Sequence, residues 1–263
     1  MFRSRYLYLG GIVRASFLLV IAVCLCAAAE AQLVDQFSPP EEDCCPRIDA
    51  QRLADHFQDI NQLGYYHAAN EILKTKPVDP HRVVFLGDSI TEGWKIASAF
   101  PGKPYVNRGV SGQTTSQMLV RTFPDVIELH PEAVIILAGN NDIAANNGPE
   151  TMQMVEENIQ AIVELCQKHG IKVILCSILP VSNYTNVPQT PRHPPTQIVA
   201  LNKWLQDYAT QTGALYCDYY SALVDQRAFL KEGYSEDGLH PNAKGYAVMV
   251  PLAQASIDEV LAQ

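Results

Sequence analysis

The chain has 263 residues, with 19 lysines and arginines against 28 aspartates and glutamates, and its formal charge at pH 7 is −9. An acidic surface repels phosphate backbones and anionic lipid headgroups, and no basic run is present, so we expect no nucleic-acid partner. The length suits one α/β domain with a full hydrophobic core.

The first residues have the features of an export signal. Three arginines lead into an apolar stretch at 15–29, and Ala29-Glu30-Ala31 has the small-x-small form of a cleavage site. The stretch is shorter than the roughly 20 residues of a membrane-spanning helix. We therefore predict a signal peptide at 1–31 and a secreted or periplasmic protein without stable membrane insertion. The alternative is an uncleaved anchor.

Two further segments precede the main domain. Residues 32–47, rich in proline and acidic residues, are predicted to be a flexible leader. Apolar residues then recur at helical spacing, and prolines follow, which predicts a helical extension at 48–79 packed on the core. The main domain is expected at 80–263.

From residue 82 onward, strand and helix patterns alternate. β-branched runs predict strands at 82–86, 105–107, 133–138, 172–177 and 214–217. Helix-compatible stretches lie at 115–129, 150–169 and 196–212, and a final helix is expected from Asn242. This alternation predicts an α/β fold with a parallel sheet covered on both faces.

One long segment does not fit the alternation. Residues 179–195 contain five prolines and follow the fourth strand, so they form either a wall of a ligand cleft or an idle surface excursion. His193 in this segment is a candidate for substrate contact, although an exposed, solvated histidine is the simpler expectation. Trp94 is a second candidate, with core packing as the favoured alternative.

Five cysteines follow the predicted cleavage site, so at least one lacks an intramolecular partner. Cys166, Cys176 and Cys217 lie in apolar runs and are expected to be small buried residues. Cys44 and Cys45 are adjacent and can bond each other or another molecule. No pair has zinc-finger spacing, so we expect no structural metal.

A candidate nucleophile stands where the first strand ends, at Gly87-Asp88-Ser89. A serine hydroxyl is a poor nucleophile at neutral pH and needs a base. His240 can accept its proton if Asp237, three residues earlier, holds the other ring nitrogen. Alone, this pair is equally typical of a surface turn before a helix.

Two other strands are followed by groups that can stabilise an oxyanion. The backbone N–H of Gly112 follows the second strand, and the amide of Asn141 follows the third. Each segment can also be ordinary turn chemistry. Asp88 and Asp142 are expected to hold loops rather than to catalyse.

Gly87-Asp88-Ser89-Ile90, the Gly112 segment, Gly139-x-Asn141-Asp142 and Asp237-x-x-His240 resemble, in order, the four sequence blocks of the GDSL/SGNH hydrolases. The resemblance covers roughly 82–250 and departs only at Ile90, where the name motif has leucine. Within this family, the sequence looks most like bacterial esterases of the branch that includes platelet-activating-factor acetylhydrolase-like proteins.

The resemblance implies a flavodoxin-like, three-layer α/β/α sandwich around about five parallel strands. It implies that Ser89 is the nucleophile, His240 the base and Asp237 its partner, with the N–H groups of Ser89 and Gly112 and the Asn141 side chain as the oxyanion hole. It implies no metal or other cofactor.

The expected function is hydrolysis of small-molecule or carbohydrate esters, with short acyl groups such as acetyl preferred because no long apolar lid helix is evident. The alternatives are a lysophospholipase or thioesterase acting on longer acyl chains, and a catalytically silent carbohydrate-binding module. A further alternative is that His240 works without Asp237. The natural substrate and the oligomeric state stay open.

Overall fold

The computed structural model of the protein describes residues 57–263. The predictions for the signal peptide and the leader, and those for Cys44 and Cys45, fall outside these residues. Within the described residues, no helix has both the length and the apolar character needed to cross a membrane.

Five strands form one parallel sheet, as the sequence predicts. They are β1 (Val83–Gly87), β2 (Tyr105–Gly109), β3 (Ala133–Leu137), β4 (Lys172–Cys176) and β5 (Leu215–Cys217). Their order across the sheet is β2-β1-β3-β4-β5. The chain changes direction across the sheet between β1 and β3, which is where open parallel sheets place their ligands.

Helices cover both faces of the sheet. They are α1 (His67–Lys74), α2 (Ser89–Glu92), α3 (Ile96–Ala99), α4 (Thr115–Asp125), α5 (Asn140–Ile143), α6 (Met152–Lys168), α7 (Pro195–Thr212), α8 (Tyr220–Leu223) and α9 (Ala243–Leu261), with a 3₁₀ turn at Ile127–Leu129. Val84 and Leu86 pack in one core cluster with α4, α6 and α7, whereas Val83 and Phe85 pack in a second cluster with α9. Successive strand residues point to opposite faces, so the two clusters make a three-layer α/β/α sandwich and confirm the expected fold class.

The cysteines of the described chain belong to this core. Cys166, Cys176 and Cys217 are free thiols and are buried. Burial raises the pKa of Cys166 to about 12, so this thiol stays protonated and packs as a small apolar group. The expectation from the sequence is confirmed for these three residues.

The carboxyl ends of β1 and β2 lie against α2. A Cβ at Gly109 would lie 2.1 Å from the backbone nitrogen of Glu92, and one at Gly87 would lie 2.1 Å from Thr91 Oγ1. Only glycine at these two positions lets the helix that begins at Ser89 sit directly on the strand ends.

Residues 59–66 form turns, where the apolar spacing predicts helix. The Asp59 carboxylate accepts hydrogen bonds from the backbone N–H groups of Leu63 and Gly64, and Gln62 adopts a left-handed φ of 54°. These side-chain bonds compete with helical bonding, so the helical prediction is wrong for this stretch. Ile60 and Leu63, which carry the pattern, are exposed. The helix α1 begins only afterwards and contacts α4 and the 3₁₀ turn.

Candidate active site

Ser89 is the first residue of α2 and follows β1 after one intervening residue. That residue, Asp88, caps the helix, because its Oδ1 accepts the backbone N–H of Ile90 at 2.9 Å. The first N–H groups of a helix have no partner within it. The serine hydroxyl therefore stands at the carboxyl edge of the sheet beside backbone donors.

His240 lies within hydrogen-bond distance of Ser89. Its Nε2 is 2.9 Å from Ser89 Oγ, and its Nδ1 is 2.6 Å from Asp237 Oδ2. When Nδ1–H donates to the carboxylate, Nε2 is the unprotonated nitrogen that can accept the serine proton. The three side chains thus form one continuous chain of hydrogen bonds.

The turn that contains Asp237 holds this carboxylate in place. Oδ1 accepts the backbone N–H groups of Leu239 at 2.9 Å and His240 at 2.8 Å, and the hydroxyl of Ser235 at 3.0 Å. Burial alone raises the pKa of Asp237, but the hydrogen bonds from the His240 ring and from these backbone groups outweigh it and hold the pKa below its usual range. The carboxylate is therefore ionised at neutral pH and can stabilise an imidazolium.

Gly112 lies in the turn between β2 and α4. Its φ is +80°, and a Cβ built there would have no non-neighbouring atom of the described residues within 4 Å. The residues on either side are held: Ser111 N–H donates to Glu92 Oε2 at 2.9 Å, and Gln113 N–H donates to Val110 O at 3.3 Å. The orientation of the Gly112 N–H therefore depends on its neighbours.

Asn141 is the second residue of α5, which follows β3 after two intervening residues. Its Nδ2 is 3.0 Å from Gln113 O and 3.3 Å from Asp88 Oδ2. Its Oδ1 accepts a hydrogen bond from Asn146 Nδ2 at 2.7 Å. The Asn146 bond fixes the orientation of the Asn141 amide, so the nitrogen is directed at Asp88 and at the Gly112 turn.

Two buried carboxyl groups hold the loops around the site. Burial raises the pKa of Asp88 to about 6, and its side chain is 1% exposed. Asp142 accepts the backbone N–H of Thr115 at 2.9 Å, which links α5 to the start of α4. Within residues 57–263, no group of three or more His, Cys, Asp or Glu side chains is arranged to hold a metal ion.

A fully buried arginine ties the strand ends together. Arg121 in α4 donates to Gly87 O at 2.8 Å and to Arg108 O at 2.7 Å, and it also bonds Gln113 Oε1. Its charge is paired with Asp125 at 3.1 Å. The only sequence signal is an Arg–Asp pair at i, i+4, which is typical of an exposed helix face. Sequence reasoning missed this residue and two others beside the proposed donors, Glu92 and Asn146.

Residues 177–194, between β4 and α7, pack against both sides of the site. Ser182 N–H donates to Gly238 O at 2.8 Å, and Gln189 Nε2 donates to Asp237 O at 2.9 Å. Arg192 donates to Asn146 Oδ1 at 2.7 Å. The loop therefore contacts the turn of Asp237 and the segment next to Asn141, and it is not a detached surface excursion.

His193 is 2% exposed, so the expectation of a solvated histidine is wrong. A turn at 189–193, closed by His193 N–H donating to Gln189 O, directs its ring inward. Its Nδ1 lies 3.3 Å from Gln189 O, and its Nε2 has no hydrogen-bond partner among the described residues. Burial, with smaller contributions from Arg192 and His240, lowers the pKa of His193. The ring is therefore neutral at pH 7.

Trp94 is 3% exposed and packs in an aromatic cluster. Its ring lies edge-on to Phe85 at 5.7 Å and stacks near Tyr246 at 5.4 Å. It also lines a hollow of about 430 Å³ between residues 93–99 and the start of α9. Trp94 therefore packs in the core, which was the favoured alternative from the sequence.

Comparison with known proteins places these residues in a wider context. The model of the GDSL-like lipase/acylhydrolase family matches residues 85–248. The solved structure of a candidate acylhydrolase from Bacteroides fragilis is 38% identical in sequence and superposes with a TM-score of 0.71. That match covers 76% of this chain and 98% of the other.

Two curated relatives match over smaller shares of their length. An acetylxylan esterase from Xylanibacter ruminicola is 26% identical over 246 residues, covering 77% of this chain and 48% of that protein. An uncharacterized lipoprotein from Bacillus subtilis is 35% identical over 79 residues, covering 29% of this chain and 32% of that protein. The matches span about half of the acetylxylan esterase and about a third of the lipoprotein.

Proposed function

The chain belongs to the GDSL-like lipase/acylhydrolase family, and on that premise we propose that it hydrolyses carboxylic esters through a covalent acyl-enzyme on Ser89. The observation that carries the proposal is the hydrogen-bond chain from Ser89 through His240 to Asp237, at 2.9 Å and 2.6 Å. A base that is itself oriented by a carboxylate is what a weak hydroxyl nucleophile requires.

In the first half of the reaction, Ser89 Oγ attacks the ester carbonyl carbon while His240 Nε2 takes the hydroxyl proton. Asp237 keeps the ring in the tautomer that allows this and stabilises the imidazolium. The tetrahedral intermediate then collapses: His240 returns its proton to the leaving alkoxide, and the alcohol departs. The acyl group remains on Ser89 as an ester.

The oxyanion of the intermediate needs donors that are already in place. In this proposal they are the N–H groups of Ser89 and Gly112 and the Asn141 Nδ2. The 3.3 Å contact from Asn141 to Asp88 is longer than its 3.0 Å contact to Gln113 O. An incoming oxyanion would therefore take the place of Asp88 as the acceptor.

In the second half, a water molecule takes the place of the alcohol. His240 removes its proton, the resulting hydroxide attacks the acyl carbon, and the same donors stabilise the second oxyanion. Collapse releases the carboxylic acid and returns the proton to Ser89. The cycle needs no group beyond these residues and water.

Replacement of the nucleophile is the direct test. We expect Ser89→Ala to abolish hydrolysis of p-nitrophenyl acetate and labelling by a fluorophosphonate probe. Ser98→Ala, which removes an exposed serine on α3, should change neither. Undiminished turnover by the Ser89 variant would overturn the assignment, and a wild-type protein that the probe does not label would indicate a silent binding module.

For the substrate, we propose acetyl-type esters and, among natural compounds, acetylated carbohydrates. The support is the similarity to a relative named as an acetylxylan esterase. The loop at 177–194 contacts the turn of Asp237 and the neighbour of Asn141, so we assign it as the wall that limits what reaches Ser89.

A substrate panel tests this choice. Kinetics on p-nitrophenyl esters from two to twelve acyl carbons should show kcat/KM highest at the short end, and acetate should be released from acetylated xylo-oligosaccharides. A maximum at eight or more carbons, or turnover of lysophosphatidylcholine or an acyl thioester in preference, would favour the long-chain alternative.

We also propose that the chain is exported and acts outside the cytoplasm. The basic residues, apolar stretch and Ala29-Glu30-Ala31 site of residues 1–31 support this, as does the similarity to a protein named a lipoprotein. Expression of the full chain in a bacterial host should give an extracytoplasmic protein whose N-terminus follows Ala31. Retention of residues 1–31 would indicate the uncleaved anchor instead.

A further inference from the structure

The turn residues 59–66, here called the N-terminal bracket, bond to the segment that contains Gly112. Tyr65 donates its hydroxyl to Glu92, and the same carboxylate accepts both the backbone N–H and the hydroxyl of Ser111. Ser111 directly precedes Gly112. Three donors thus converge on one carboxylate, and one of them comes from the bracket.

The bracket also holds the residue on the other side of Gly112. Gln113 is 1% exposed. Its Nε2 donates to Asn61 O at 3.2 Å and to Gln62 Oε1 at 2.9 Å, while its Oε1 accepts from Arg121. Because both ends of the Gln113 amide are engaged, its side chain cannot rotate without leaving buried polar groups unpaired.

Two further contacts close the bracket on this segment. Tyr66 donates its hydroxyl to Gly109 O at 2.5 Å, and its ring lies under the Arg108 guanidinium at 4.6 Å. Gln117 Nε2, in α4, donates to Ile60 O at 2.7 Å. The bracket therefore spans the whole turn, from the end of β2 to the first residues of α4.

Gly112 itself has no bond to the bracket, and its carbonyl oxygen lies 3.5 Å from Asn146 Nδ2. It has no side chain, its φ is +80°, and its Cβ direction is open. Its N–H belongs to the peptide unit shared with Ser111, so the direction of that N–H follows from how Ser111 and Gln113 are held. Both neighbours are bonded to the bracket, directly or through Glu92.

We propose that the N-terminal bracket is a positioning element for the Gly112 oxyanion donor, and that it acts through Tyr65 and Glu92 on one side and through Gln113 on the other. The inference rests on the proposed ester hydrolysis. Glu92 bonds Ser111 and Tyr65 bonds Glu92, and both are positioning residues because neither touches the reacting atoms. An oxyanion donor works only where it is already aligned, so loosening its support lowers kcat and leaves ground-state binding intact.

The test compares Tyr65→Phe and Glu92→Gln with Tyr105→Phe. The control removes a half-buried hydroxyl that bonds Gln254 at the opposite, amino end of β2. On p-nitrophenyl acetate we expect kcat to fall about threefold to tenfold for Tyr65→Phe and about 10- to 100-fold for Glu92→Gln. Both losses are smaller than the roughly 10²–10³-fold fall in kcat when an oxyanion donor is removed outright. KM should change less than twofold, and Tyr105→Phe should keep wild-type kcat.

A second measurement separates positioning from general loosening. Phenyl trifluoromethyl ketone forms a hemiketal oxyanion when a serine adds to it, so its Ki should rise in the variants in the same proportion as kcat falls. Wild-type kcat and Ki in both variants would overturn the inference, as would a loss shared by Tyr105→Phe. If Glu92→Gln does not fold, Tyr65→Phe decides alone. Failure of the proposed function is distinct, since Ser89→Ala would then stay active.

Discussion

The two halves of the site are built differently. In the acid–base half, Asp237 and His240 are three residues apart, and one short turn supplies the donors to the carboxylate. In the oxyanion half, the proposed donors come from three segments: the starts of α2 and α5 and the turn before α4. They are held by side chains from α2, α4 and the N-terminal bracket. One half is a local motif, and the other is a network across the fold.

The difference also appears in the charges. Asp237 is half-exposed, and its hydrogen bonds keep its pKa low, so it remains an anion. Asp88 in the oxyanion half is buried, and burial raises its pKa to about 6. The proposed acid–base half therefore keeps its carboxylate ionised, whereas Asp88, beside the proposed oxyanion donors, gains a proton once the pH falls below about 6.

The largest expected effect is in the acid–base half. Asp237→Asn should lower kcat on p-nitrophenyl acetate by about 10⁴, because the amide cannot hold His240 in the correct tautomer. Steady-state kinetics measure this, with a thermal melt to verify folding. A loss of tenfold or less would show that His240 works without Asp237.

Removal of one oxyanion donor should cost less. Asn141→Ala is expected to lower kcat by about 10²–10³ with KM little changed, because the side chain acts on the transition state. Acyl-enzyme formation, followed as a burst of p-nitrophenol, should slow by the same factor. A large rise in KM at constant kcat would instead place Asn141 in substrate binding.

The pH dependence of stability should distinguish the two carboxylates. Between pH 3.8 and about 6, unfolded Asp88 loses its proton while folded Asp88 keeps it. The free energy of unfolding therefore falls by about 3 kcal/mol across this window as pH rises. Asp237, with its low folded pKa, has the opposite sign, and its contribution is lost as pH falls below about 4. Urea unfolding at several pH values should show that Asp88→Asn removes the decline, and an unchanged decline would contradict the assignment.

The smallest effect is expected for Asn146, whose Nδ2 donates to Asn141 Oδ1 at 2.7 Å and lies 3.5 Å from Gly112 O. Asn146→Ala should lower kcat about tenfold, since Asn141 Oδ1 then loses its 2.7 Å partner while all three proposed donors remain. Asn183→Ala, which removes a similar bond to Thr190 within the 177–194 loop, is the matched comparison. In the double variant with Asn141→Ala, the Asn146 change should have no further effect on kcat, and additive losses would show that Asn146 also acts through its contact with Gly112 O.

The sequence predicts features that depend on neighbouring residues better than features that depend on contacts between distant segments. The strand and helix patterns were correct because alternation and apolar runs depend on nearby residues. The helix predicted for residues 59–66 was wrong because the Asp59 side chain accepts backbone N–H groups there and stabilises turns, despite the helical spacing of the apolar residues. The expectation of a solvated His193 was wrong because the fold buries this residue within a turn of the loop. Neither effect leaves a periodic signal.

The sequence alone determined the α/β class, the parallel sheet and the four segments that carry the candidate residues, because periodicity and turn chemistry are written locally. Only the tertiary structure decided that Arg121 is buried, that Glu92 accepts three donors and that Asn146 orients Asn141. The physical reason is that a buried polar group must be paired, and its partner is whichever distant segment the fold brings within about 3 Å.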